Sequence, residues 1–229
     1  MNGGTVGAVI IPLRFNGPTG SGNGGYTSGL LAAHLDVDTA QVTLRLPPPL
    51  GTPLELVHDG PKISAYDDDK LIAEVVEAPA VTALVPAVDL ATATTASRSY
   101  PGFTDHPFPQ CYVCGPERPN NDGLEIYPGR LDDGRMAAPW RVPKDVGLPV
   151  LWAALDCPGG WSVIAPGRPY VLGRMTATLQ RIPSPGETCV VVGQCVSTEG
   201  RKASVLTSLY DATGALVAAA SATWIALAQ

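Results

Sequence analysis

The sequence predicts an α+β protein made of two successive copies of one unit, each an antiparallel sheet with a single helix. Three observations predict it. The second half repeats the motifs of the first in the same order. Apolar residues alternate along short segments, as in half-buried strands. Gly (25) and Pro (23) are abundant without any Gly-X-Y period, so they read as turn punctuation.

The repeat runs as follows. Asn23-Gly-Gly-Tyr26 returns as Pro158-Gly-Gly-Trp161. An alternating strand comes next in each half, Val42–Leu46 and Met175–Leu179, then a Pro-containing turn, Pro47–Pro53 and Ile182–Glu187. A second strand follows, Leu54–Val57 against Cys189–Gly193, then a Gly with a basic residue. The last unit is strand, Asp-bearing turn, strand: Ala65–Ala73 matches Leu209–Ala218. Pro12-Leu-Arg-Phe15 and Pro139-Trp-Arg-Val142 lead into the two copies. Thr27–His34 and Val150–Leu155 carry apolar residues at helical spacing and supply the helix of each copy. The first unit is placed at residues 1–78, a connector at 79–109 and the second unit at 110–229. Within the connector, the Ala/Thr-rich stretch Val88–Ser97 reads as a short helix or a covering loop.

With 229 residues and 45 % hydrophobic composition the chain can bury a sizeable core. Only 16 % of residues are charged, which points to surface covered by a partner or ligand. A net charge of −6 excludes nucleic acid, whose binding rests on Lys and Arg neutralising phosphates. No basic segment followed by a long apolar stretch opens the chain, and no apolar run is long enough to span a membrane. Five Cys, an odd number, do not form a secreted disulfide framework, so a reducing cytoplasm is expected.

One helix opened by a Gly pair, followed by an antiparallel meander, resembles the hotdog fold, in which a sheet wraps a central helix and two units pair edge to edge. The duplicated chain is similar to the double hotdog acyl-CoA thioesterases of the thioesterase II type. Cys111-Tyr-Val-Cys114-Gly-Pro116, then Pro119 and Gly123-Leu124, resembles the start of bacterial phenylacetate-pathway thioesterases. The resemblance implies an acyl-CoA or acyl-carrier thioester as partner and no cofactor. Because two fused halves already supply a hotdog dimer, a monomer or a further homodimer is open.

Gly24 and Gly25 then let backbone N–H groups at a helix start approach a thioester carbonyl, since a helix N-terminus favours developing negative charge. Gly159 and Gly160 are expected to do the same in the second half, with Tyr26 and Trp161 beside them as substrate-binding residues. Gly20–Gly25 also fits G-x-G-x-x-G, but Pro-rich hairpins rather than a parallel βαβ series follow, which disfavours a dinucleotide site. Asp156 is a lone carboxylate in an apolar segment. Such a group is costly to bury unless paired or protonated, and active sites use that cost. The resemblance implies that Asp156 activates water, with Asn23 positioning it; a helix cap or a bond to the Gly-Gly amides is the structural alternative. From Arg14 to Leu35 no acid occurs, so at most one of the two related sites carries a carboxylate. A non-catalytic binder of an acyl-CoA or lipid-like ligand is therefore the second functional reading. Gly29 stands five residues before His34, so the Asp/His pair of hotdog hydratases is absent. Cys111 and Cys114 form C-x-x-C, but Cys157, Cys189 and Cys195 are not spaced as its partners and His106 alone does not complete a set. A buried Cys pair without metal is expected.

Overall fold

The computed structural model describes residues 4–228. The chain folds as β1 (Gly4–Ile10), α1 (Gly24–Ala32), β2 (Thr39–Leu44), β3 (Pro53–Asp59), β4 (Lys62–Asp67) and β5 (Lys70–Glu77). After α2 (Leu90–Ser97) come β6 (Gly129–Arg130), β7 (Met136–Arg141), α3 (Leu148–Gly160), β8 (Tyr170–Leu179), β9 (Thr188–Glu199), β10 (Lys202–Asp211) and β11 (Leu216–Ala226).

All strands join one antiparallel sheet in the order β1-β3-β4-β5-β2-β8-β11-β10-β9-β7-β6. Leaving aside the short β6, the order reads the same from either edge once the halves are matched. β2 corresponds to β8, β5 to β11, β4 to β10, β3 to β9 and β1 to β7. The halves meet where β2 pairs with β8, from Thr39 opposite Thr178 to Thr43 opposite Arg174, and the two threonine hydroxyls lie 3.0 Å apart. The duplication read from the motifs is thus the architecture of the sheet.

Both central helices pack against each other with little between them. An added Cβ on Gly25 would lie 2.6 Å from Asp156 Cβ and 2.7 Å from the Trp152 carbonyl, and one on Gly29 would lie 2.7 Å from Trp152 Cβ and 2.8 Å from Pro149 Cα. The helices therefore run antiparallel, with the start of α1 beside the end of α3. Asn23 begins α1 by accepting the Tyr26 N–H at 2.8 Å, which satisfies one of the donors a helix start leaves open. Helix α1 accordingly starts at Gly24, three residues before the apolar periodicity would place it.

Gly159 and Gly160 do not open a helix; they are the last residues of α3, which begins at Leu148. The sequence expectation fails here because a Gly pair serves any close approach. A Cβ on Gly160 would lie 2.4 Å from the Trp224 ring, and one on Gly159 would lie 2.6 Å from Thr207 Oγ1. From the sheet side, Gly193 on β9 brings its backbone against the Pro158 carbonyl. These glycines seat α3 on the sheet. On the opposite face, α2 and the segment before it cover β7 and β9. Val85, Ala93, Ala137, Val190, Val192 and Tyr210 form a second, smaller core there, and the Tyr210 hydroxyl donates to the Val85 carbonyl at 2.5 Å.

Candidate active site

Asp156 lies near the end of α3 and faces the start of α1. The missing side chain of Gly25 lets the two meet. The Gly25 N–H donates to Asp156 Oδ2 at 2.9 Å, and Asn23 Nδ2 donates to the same oxygen at 3.2 Å. Asn23 thus caps α1 with its oxygen and holds the carboxylate with its nitrogen. Asp156 is 3 % exposed, and its Oδ1 has no hydrogen-bond partner. Burial pushes the Asp156 carboxyl up to about 7; the Gly25 amide and the Asn23 amide act against burial, while charge on Cys111 adds to it.

A cavity of about 460 Å³ opens beside this carboxyl and draws its walls from both halves and the connector. Leu44, Leu46, Phe108, Trp161, Leu172 and Ile225 give it apolar sides, with Gly24, Asn23 and Asp156 at one end. This is the composition of a ligand site, mostly apolar with a few convergent polar groups. At the other end of the helix pair is a smaller hollow lined by Ala32, Leu148 and Trp152; its carboxylates, Asp36 and Asp38, are exposed. The two ends are unequal, as the lack of an acid between Arg14 and Leu35 predicts.

The structure separates the expected binding residues into those that face the cavity and those that do not. The Gly25 N–H is taken by Asp156 and the Tyr26 N–H by Asn23, so neither is left to meet a carbonyl. The Tyr26 ring stacks on Phe15 at 3.7 Å between centroids and is no part of the cavity wall. Gly24 does line the cavity, and its amide has no partner among the described residues. Gly159 and Gly160 lie outside it, whereas Trp161 is a wall residue whose Nε1–H donates to Cys114 Sγ at 3.4 Å.

Sequence spacing missed a convergence. Cys157 follows Asp156 on α3, and the fold carries it to the C-x-x-C loop. The sulfur atoms of Cys111, Cys114 and Cys157 all lie within 4.8 Å of one another, and all three residues are buried. Hydrogen bonds from Cys114 and Cys157, with the Cys114 and Val113 amides, hold the Cys111 thiol well below its usual range. Burial and the neighbouring Cys111 sulfur push Cys114 up, and hydrogen bonds with Cys111 and Cys114 push Cys157 up. Burial also lowers His106. Its Nδ1 accepts the Phe108 N–H at 2.9 Å, so the neutral ring carries its hydrogen on Nε2, 3.4 Å from Cys114 Sγ. One available signal was the position of Cys157 itself, next to the candidate carboxylate.

An antiparallel sheet cradling an antiparallel helix pair, with a pocket at one helix junction, is the class of protein that the fold and site define. The fold is the double hotdog. Among solved structures, the chain is similar to a thioesterase-type protein from Novosphingobium aromaticivorans (TM-score 0.64, 17 % identity, covering 96 % of this chain and 95 % of that one). It is similar to a hot dog fold protein of unknown function from Alicyclobacillus acidocaldarius (TM-score 0.62, 11 % identity, 97 % and 93 % covered). It is also similar to the acyl-CoA thioesterase II TesB2 of Mycobacterium marinum (TM-score 0.52, 13 % identity, 88 % and 86 % covered). No family model matches the chain, and no curated protein matches it. No helix among the described residues is long and apolar enough to cross a membrane.

Proposed function

We propose that the protein hydrolyses acyl thioesters, of CoA or an acyl carrier, in the cavity beside Asp156. The observation that carries this reading is the unpartnered Oδ1 of a buried carboxyl at the end of an apolar cavity. The acyl chain would lie along the apolar walls. Asp156 Oδ1 would take a proton from water as the water oxygen attacks the thioester carbon. The Gly24 N–H, open at the positive end of α1, would meet the developing oxyanion. Collapse would release the thiolate of the carrier and the free acid. Asn23 and Gly25 would act by holding Oδ2, which leaves Oδ1 as the reacting oxygen.

The test is hydrolysis of a chain-length panel of acyl-CoA esters by the wild type and by Asp156→Asn. Asparagine can keep the bond to the Gly25 amide while losing the base. A drop of about 10²-fold or more is expected, the size a positioned general base contributes. Equal rates would remove Asp156 from the mechanism.

One observation favours the second reading, a binder without turnover: the protein's own side chains occupy the Gly25 and Tyr26 amides, leaving a single open donor. Thermal stabilisation by CoA esters that remain intact would select it.

A further inference from the structure

We propose that Cys111, Cys114 and Cys157 form a three-thiolate site for Zn²⁺, with the fourth coordination position open to the cavity. Three observations on separate parts of the chain lead to it.

The first is spacing. Zinc bound to thiolate sulfur at about 2.3 Å in a tetrahedron holds its sulfur atoms about 3.8 Å apart. Cys111 Sγ and Cys157 Sγ are 3.9 Å apart, and all three sulfurs fall within 4.8 Å. Two come from one loop and the third from a helix of the central pair, so a shared ion would tie the loop to α3.

The second is the loop. It is wound so tightly that a Cβ on Gly115 would lie 2.4 Å from the Cys111 nitrogen and 2.6 Å from its oxygen. The Gly115 N–H donates to the Cys111 carbonyl at 2.9 Å. This winding fixes the loop that carries Cys111 and Cys114, whose sulfurs lie within 4.8 Å of each other and of Cys157 Sγ.

The third is the surrounding donor set. Asn23 Nδ2 points at Cys111 Sγ at 3.8 Å, Trp161 Nε1 lies 3.4 Å from Cys114 Sγ, and His106 Nε2 sits between the Cys114 carbonyl, at 3.2 Å, and Cys114 Sγ, at 3.4 Å. Buried neutral thiols need no such ring of N–H groups. Metal-bound thiolates do, because N–H donors stabilise their charge and fix their orientation.

His106 belongs to this ring of donors and is not the fourth ligand. With Nδ1 accepting the Phe108 amide, Nε2 carries a hydrogen and offers no lone pair. All three cysteines line the cavity, so the remaining corner faces it and takes water. Three protein ligands with one open position distinguish this arrangement from a closed structural site. Soft thiolates favour Zn²⁺ over Mg²⁺ or Ca²⁺.

The site shares its cavity with the hydrolysis reading but does not rest on it, and its test reads metal rather than turnover. The full chain, purified under reducing conditions and stripped with a chelator, is titrated with Co²⁺ as a spectroscopic stand-in and then with Zn²⁺. About one ion per chain should bind, with the visible and sulfur-to-metal bands of a tetrahedral, thiolate-rich Co²⁺ site, and Zn²⁺ should displace it. Cys114→Ser and Cys157→Ser should lose those bands. Cys195→Ser, on β9 outside the cluster, should keep them. Should a serine variant fail to fold, alkylation of the wild type decides: Zn²⁺ should shield Cys111, Cys114 and Cys157 and leave Cys195 unchanged. A wild-type chain that takes up no Co²⁺, or one in which Zn²⁺ leaves the alkylation pattern as it was, overturns the proposal. So does a Cys111–Cys157 disulfide in the reduced preparation.

Discussion

The contact between α1 and α3 at Gly25 is the joint on which fold and site both depend, and Gly25→Ala tests it. In an isolated helix the change would help, since alanine favours helix over glycine by about 1 kcal/mol. Here the new Cβ would meet Asp156 Cβ at 2.6 Å, the Trp152 carbonyl at 2.7 Å and Ala153 Cα at 3.0 Å. Two of those atoms are backbone, so no rotamer change relieves the clash and the helices must move apart. Forcing an extra methyl into a packed core costs about 1–3 kcal/mol, and backbone neighbours place this site at the upper end. Set against the helix preference, the net is about 2 kcal/mol of destabilisation, or roughly 4–8 °C in Tm for a chain of this size. Separating the helices also stretches the Gly25 N–H bond to Asp156, so thioester hydrolysis should fall by about 10²-fold, as misplaced catalytic groups do. Gly29→Ala, against Trp152 Cβ and Pro149 Cα, should lower Tm similarly without touching Asp156, so its kcat should suffer less. Calorimetry and steady-state kinetics on both variants decide. A Gly25→Ala protein with unchanged or raised Tm would refute the close-contact argument.

Further outcomes are expected elsewhere. The Arg118 side chain is nearly buried and bonds Asp122 Oδ1, Asn16 Oδ1 and the Gln110 and Arg14 carbonyls, so Arg118→Ala leaves several acceptors unmet. About 3 kcal/mol should be lost in urea unfolding. Gly160→Ala pushes on the Trp224 ring, which a Cβ would approach to 2.4 Å; a cost of about 1–3 kcal/mol and a changed near-UV circular dichroism spectrum are expected. Hydrogen bonding to Lys62, with Arg45 adding to it, holds the Glu74 carboxyl below its ordinary value of 4.5. A depressed folded value means the stability is present above that ordinary value and lost as pH falls through the lower one. Glu74→Gln should therefore weaken the protein at about pH 6 and flatten the loss of stability as pH falls below the ordinary carboxyl range, read as urea midpoints.

The strands were legible because each has its own signature in the sequence. Alternation, Pro-bearing turns and the Asp67 and Asp211 hairpins recur in sequence order, and β3-β4-β5 and β9-β10-β11 pair as the expected meander does; β2 and β8 leave it, each pairing with the last strand of its own half and with each other rather than with the strand that follows. That the two Gly pairs are not equivalent was not legible, since the triplet carries no mark of direction. At Gly24-Gly25 the absent side chains admit Leu172 and Asp156, and at Gly159-Gly160 they admit Thr207 and Trp224. Steric need is the same, while the position on the helix is opposite. Asp156 stood out as a lone acid in an apolar run. Its partners did not, because Gly25 and Asn23 lie more than 130 residues away and contact it only across the helix pair. The cysteine cluster escaped for the same reason: Cys111 and Cys157 are 46 residues apart, and ligand-spacing rules see only local pairs.

The polar end of the cavity is assembled from pieces that no single copy of the repeat contains. The first half supplies the helix start with Asn23, Gly24 and Gly25; the second supplies Asp156 and Cys157; the loop between Pro109 and Pro116 supplies the remaining sulfurs. Symmetry would make two such junctions, one at each end of the helix pair, yet among the described residues only one has a buried carboxyl. Once two copies are fused, each can drift independently, and the far end has been filled by Leu148 and Trp152 around a smaller hollow. The surviving junction then carries constraints from both copies at once: Gly25 must stay small for Asp156, and Asn23 must bond α1, Asp156 and Cys111 together. Asn23→Asp separates these duties. It keeps the helix cap but removes both N–H donors and sets a second carboxylate against Asp156. The cap alone would preserve stability; the junction argument requires a clear loss of both stability and ligand binding.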